Sequence, residues 1–344
     1  MLLVLSLSML RPAIAAAQAT ADSVPIWTRT VQVGPSFAAR DWALTRLASL
    51  GATALPAETK RVLIAELNRV HQVQKAGGRV SDPDSGSEDF ADYYDTLVMM
   101  VSTFETREAA LALLPAVAVS GSISSSVVKQ LGDTVASLLV QQLGSTTEDD
   151  DHIAVLQTLG HAWFWADSMS SPMSDRSRAL IAAALLRATV SGSVPDMMGV
   201  DLALAAMGDP AFLPLAQKLH DIAANAGPLA AGVEYFTRST DIPKLTALAA
   251  SRSTASLAAG LARIATAVCG NDAAGRRQGA CQSITNDIAT ASGHLAKGQT
   301  TPARNGFESV GKKIDEAYAA GAFSDAEHAL LAGNVAMVLQ RLAP

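Results

Sequence analysis

Leu204–Leu219 reads LAAMGDPAFLPLAQKL, and its sixteen residues carry two helix signals back to back. Gly208 follows an apolar run and can take the left-handed conformation that stops a helix. Asp209 offers a side-chain oxygen to the free amides of the next helix, and Pro210 sits where a first-turn proline costs no hydrogen bond. Phe212, Leu213, Leu215 and Leu219 then continue at helical spacing. The stretch therefore predicts one short apolar helix, a sharp turn and a second helix. The same grammar recurs outward along the chain. Leu131-Gly132-Asp133 leads into Val135, Leu138, Leu139 and Leu143, Thr106 opens a helix with Leu111, Leu113 and Leu114, Ser174-Asp175 opens Leu180 to Val190, and Asp241 precedes Leu245 and Leu248. With Thr106, Asp133, Asp175, Asp209 and Asp241 taken as caps, the spacings are 27, 42, 34 and 32 residues.

A helix pair of that length cannot bury its apolar face alone, so consecutive pairs must stack. Composition agrees: apolar residues make up 49% of the 344 residues but aromatic ones only 5%, which favours small-residue helix packing over sheets. Upstream, residues 22–35 read as an extended lead-in between Pro25 and Pro35. Phe37, Leu44, Leu47 and Leu50 then share a helix face stopped at Gly51, and Pro56 starts a helix carrying Val62, Leu63, Leu67, Val70 and Val73. Over residues 36–268 the pattern resembles the HEAT family of helical repeats, most clearly at Leu204–Leu219. The resemblance implies an all-α solenoid of about five stacked helix pairs that binds other molecules on its surface.

Cys269 and Cys281 are the only cysteines, so a disulfide between them has a single connectivity, and residues 269–282 read as a bridged loop or linker. Residues 283–344 then form three predicted helices, Ile284–Ala296, Pro302–Ala319 and Ser324–Leu342, joined by short turns as a small antiparallel bundle. Ser324 and Glu327 are spaced as a capping box. The segment is similar to the FIMAH domain, on Ala291, Leu295, Gly298, Ala303, Phe307, Ser324-Asp325-Ala326 and Leu330. That likeness implies an accessory or attachment module of a secreted protein.

Residues 1–21 are expected to be a signal peptide. Leu2–Leu10 is apolar or small, and Ala15/Ala17 or Ala17/Ala19 suit a signal peptidase, although no Lys or Arg precedes the apolar run. The isolated cysteine pair suits the same oxidising, periplasmic or secreted compartment. A net charge of −6 without a basic cluster argues against nucleic acid, and no span is expected once the leader is removed. The expected partner is a protein or a cell-envelope component.

Catalytic patterns are missing. None of His71, His152, His161, His220, His294 and His328 has a second His four residues away, so no helical zinc pair exists, and no metal or cofactor is expected. His152 follows the acidic run Glu148–Asp151, which reads better as charge at a helix start. Asp82-x-Asp84-x-Gly86-x-Glu88 lacks two features of a calcium loop, and Ser126-x-x-Lys129 and Ser309-x-x-Lys312 lack the partner motifs of serine acylases. Trp163-Phe164-Trp165 is dense for so aromatic-poor a chain, and three consecutive helical residues fan over about 200°, so one ring must leave the core. Trp163, Trp165, Tyr93 and Tyr94 are accordingly the candidate binding residues, with no catalytic residue assigned. The alternative to a binding scaffold is a helical enzyme, such as a polysaccharide lyase or hydrolase, acting on an extracellular polymer with convergent carboxylates.

Overall fold

The computed structural model describes residues 23–75, 87–169, 173–270 and 276–343. The protein is all-α, with no strand among the described residues. The expected signal peptide, the calcium-loop residues Asp82, Asp84 and Gly86, and the middle of the Cys269–Cys281 segment lie outside them. No helix of the described residues is long and apolar enough to cross a membrane.

The chain divides into two compact units at Ala116/Val117. The first begins with a correction. Residues 23–33, expected to be extended, form a helix (α1) whose Thr28 hydroxyl lies 3.2 Å from that of Thr59. Pro25 falls in the opening turn, where a missing N–H is harmless, so it starts this helix rather than breaking it. Phe37–Leu50 (α2), Ala57–Lys75 (α3) and Ser87–Ser102 (α4) follow. Ser36 caps α2 by accepting from the Ala39 N–H at 3.2 Å. Phe37, Leu44, Leu47, Leu63, Leu67, Val70, Leu97 and Val101 make the core, so the apolar stripes read from sequence do face inward. Arg107–Val119 (α5) spans the boundary, with Pro115 inside it removing one helical hydrogen bond there.

The second unit contains Ser125–Leu131 (α6), Thr134–Leu143 (α7), Asp149–Ser168 (α8), Asp175–Ser191 (α9), Val194–Met207 (α10), Leu213–Asn225 (α11), Ala231–Phe236 (α12), Ile242–Ser251 (α13), Thr254–Cys269 (α14), Arg276–Ala296 (α15), Thr300–Ala319 (α16) and Asp325–Arg341 (α17). Its most extensive contact joins α8 and α10. Glycine makes that approach possible: a Cβ added at Gly160 would stand 2.7 Å from the Cα of Ala203, and one at Gly199 would stand 2.9 Å from the Cβ of Leu156.

The five expected caps divide. Thr106 accepts from the Ala109 N–H at 3.2 Å, and Asp209 from the Ala211 N–H at 3.0 Å. Asp133 caps nothing in α7. Its carboxylate reaches the Ser174 N–H 41 residues on, which holds its pKa below the ordinary value. Ser174, one residue before the expected Asp175, caps α9. Asp241 is buried inside a π-helical turn, Thr237–Asp241, and caps nothing.

The C-terminal boundaries also move. The helix expected from Ile284 starts at Arg276, so Cys281 belongs to α15 and the expected linker is mostly helix. Cys269, the last residue of α14, lies at disulfide-bonding distance from Cys281, with Cα atoms 5.4 Å apart. Helices α15 to α17 are close to the expected three, and the Ser324/Glu327 capping box forms. They fall within the second unit, where α17 packs on α11 and α14. There Gly333 abuts Pro214, and buried Asn334 donates to the Ala211 carbonyl at 2.7 Å.

Candidate functional site

The Gly-Asp-Pro turn that sets the fold also builds the most developed polar site. Gly208 has φ +57°, which frees Asp209 to point inward. One Asp209 oxygen accepts from the Ala211 N–H; the other accepts from Trp163 Nε1 at 3.2 Å and Arg263 Nη2 at 3.0 Å. Three donors, one of them a guanidinium, satisfy this buried carboxylate. The Trp163 indole meets Phe212 edge to face at 5.0 Å, and the Arg178 guanidinium stands 5.4 Å from its ring centroid. Arg178 in turn pairs with Asp167 at 3.3 Å. The result is a chain of contacts from Asp167 through Arg178, Trp163 and Asp209 to Arg263, drawn from α8, α9, the turn and α14.

Beside this chain lies a recess of about 70 Å³, bordered by Asp167, Asp209, Arg252, Ser256, Arg263 and Asn334 among others. Both carboxylates are already paired. The guanidinium of Arg263 is only half used, for its Nε is buried without a partner, an omission that typically costs about 1 to 3 kcal/mol. Arg252 is exposed and makes no side-chain hydrogen bond or ion pair among the described residues.

The four aromatic candidates fall in different places. Trp163 is fully buried and Trp165 half-buried, its Nε1 donating to the Ile123 carbonyl at 2.8 Å. The ring that leaves the core is Phe164, between them. Tyr93 and Tyr94 belong to the first unit, whereas the tryptophans belong to the second. Tyr93 is fully buried, and its hydroxyl donates to Glu66 at 2.7 Å. Glu66 is held by both Nε and Nη2 of Arg69, and Arg40 stands 3.7 Å away. Burial and the Glu66 charge push the Tyr93 pKa up, and burial with the Asp95 charge pushes Tyr94 to about 12. The Tyr94 hydroxyl lies 2.8 Å from Nε2 of His71, whose pKa burial lowers.

Sequence reading missed a second polar pair. Asp201 on α10 and Asp241 in the π-helical turn are both buried and near enough for each carboxyl to act on the other, and Asp201 Oδ1 is buried without a hydrogen-bond partner among the described residues. Burial first, then the nearby carboxyl and charge of Asp241, raise Asp201 to about 8; burial also raises Asp241, against the opposing effect of Asp201 and Lys244. Two carboxyls in this setting share a proton. The signal was present: Asp201 lies four residues after Met197 and three before Leu204, both buried, so its position is on the inward stripe.

His152 does not gather the neighbouring acids into a cluster. Its Nε2 meets Asp196 at 2.7 Å and its Nδ1 lies 3.2 Å from the Thr146 hydroxyl, tying α8 to the start of α10. Burial would raise the Asp196 pKa, but bonds from Ser191, Ser193 and His152 together lower it. Among the described residues no three His, Cys, Asp or Glu side chains are grouped to hold a metal.

The chain matches no protein-family model, no curated protein and no solved structure. What fold and site define is an all-α protein in which several ion pairs tie one helix to another.

Proposed function

We propose that this is an exported, non-catalytic interaction protein that binds a protein or cell-envelope component through its helical surface. In this reading the helix pairs stack in a HEAT-like manner and the C-terminal helices form a FIMAH-like end. The observation that carries it is an exposed apolar segment beside α10. Leu229 is 83% exposed, Tyr235 57% and Phe236 53%, and Tyr235 and Phe236 meet edge to face at 5.5 Å. Helix α10, which packs against this segment, adds exposed Met198 and Leu202, four residues apart and so on one helix face. Water-exposed aromatic rings of this kind are what protein interfaces use as anchors. The rival enzyme reading needs carboxylates that a polymer can reach, and the Asp201–Asp241 pair is enclosed.

Photo-crosslinking from position 235 in the native envelope tests the surface. A discrete adduct is expected, and it should vanish when Leu229→Ser and Phe236→Ser are introduced together. An adduct insensitive to those substitutions counts against the surface. N-terminal sequencing of the exported chain should show removal of residues within the first 21; an intact leader in the mature protein would overturn the localisation.

A further inference from the structure

The recess next to Asp209 has an ionic balance that its own residues leave incomplete. Two guanidiniums line it, those of Arg252 and Arg263, against the two carboxylates of Asp167 and Asp209, and Arg178, outside the lining, supplies the counter-charge of Asp167. Asp167 takes Arg178, and Asp209 takes one nitrogen of Arg263. One positive charge remains. It is carried by Arg252, free of side-chain partners among the described residues, with the buried, unpartnered Nε of Arg263 beside it. Ser256 adds a hydroxyl on the same wall, whose oxygen makes no hydrogen bond among the described residues. Arg252 and Ser256 flank the Ser253 cap, so the positive end of α14 lies beside them, and Arg263 sits two turns further along the same helix.

We infer that the recess binds a carboxylate. Guanidinium N–H groups match the planar carboxylate fork, and a monoanion cancels the single excess charge, whereas a doubly charged phosphate or sulfate would overshoot it beside Asp167 and Asp209. Size allows it: a recess of about 70 Å³ has room for a carboxylate head. A ligand larger than the recess would extend past exposed Arg252. This site is distinct from the aromatic surface above and does not depend on it.

The probe is sodium acetate, titrated into the full chain and compared with sodium chloride and sodium sulfate at matched ionic strength. Acetate should raise the melting temperature saturably and shift the Arg263 Nε–Hε resonance. Arg252→Ala, which touches no structural contact, should weaken acetate binding at least tenfold without changing the fold. A short peptide with a free C-terminus, set against its amidated form, separates the sources. Tighter binding of the free-acid peptide than of acetate supports a chain terminus, and acetate binding without that preference supports a free small acid. An acetate response identical in wild type and Arg252→Ala, or a sulfate response equal to that of acetate, overturns the assignment.

Discussion

Asp209 ends one hydrogen-bond deficit locally and another at long range. Its cap bond to Ala211 spans two residues, whereas its bonds to Trp163 and Arg263 span 46 and 54. Replacing it with Ala would leave the Trp163 N–H and the Arg263 guanidinium facing each other without an acceptor. Losing one partner of a buried ion pair costs about 3 to 5 kcal/mol, and the part-exposed Arg263 recovers some of that from water. Asp209→Ala is therefore expected to lose about 3 kcal/mol in urea unfolding; a loss below about 1 kcal/mol, no more than a helix cap is worth, would show the long-range bonds to be idle. Sequence could supply the cap because its donor lies within one turn. It could not supply the acceptor for Trp163, which depends on where α8 meets the turn, so Trp163 read as a surface candidate and proves to be core. Asp241 went wrong for the same reason: a short acid before an apolar run looks like a cap, and burial against Asp201 is invisible without the packing.

Helix contacts set the next level of constraint. Two glycines inside helices look equally weak by propensity, yet Gly160 faces the backbone of Ala203 and Gly293 faces open space. Alanine gains up to about 1 kcal/mol of helix propensity at either site. At Gly160 the added methyl meets backbone that cannot rotate away, and overpacking of this kind costs about 1 to 3 kcal/mol. Gly160→Ala should therefore destabilise by about 1 to 2 kcal/mol while Gly293→Ala stabilises by about 0.5 to 1 kcal/mol, read from paired denaturant melts. The contact between α10 and the π-helical turn is expected to be pH-sensitive. With its folded pKa raised to about 8 from an unfolded value near 3.8, Asp201 keeps a proton in the folded state where the unfolded chain has lost it. Folded protein then binds more protons than unfolded, so stability falls as pH rises from about 4 to about 8 and levels off above. Asp201→Asn removes that ionisation. It should match wild type near pH 4 and exceed it by about 2 to 5 kcal/mol at pH 9, and parallel stability curves for the two proteins would refute the shared-proton pair.

At the scale of the whole chain, the all-α class and most helix positions were legible because helix stripes and glycine stops are local signals. The division into units was not. Sequence placed the break at the cysteines, where composition turns polar, whereas the compact units part at Ala116/Val117, near Pro115 within α5. Contacts between distant segments decide this, and those of α17 with α11 and α14 carry no signature in either strand of sequence. The consequence is a strong expectation for truncation. Leu330, Leu331, Val335 and Val338 of α17 are buried, as are Leu257, Leu261 and Ile264 of α14. Fully burying each such side chain contributes about 1.5 to 3 kcal/mol, so stripping α15 to α17 removes an amount comparable to the roughly 5 to 15 kcal/mol net stability of an ordinary domain. A fragment of residues 117–275 should retain helical circular dichroism, lose its cooperative thermal transition and bind an apolar dye. Deleting the C-terminal helices to test envelope attachment would then report misfolding rather than a lost anchor, and substitutions on the exposed face of α16 are the sounder probe. A sharp transition in the fragment, close to that of the full chain, would instead establish α15 to α17 as the independent bundle that the sequence suggested.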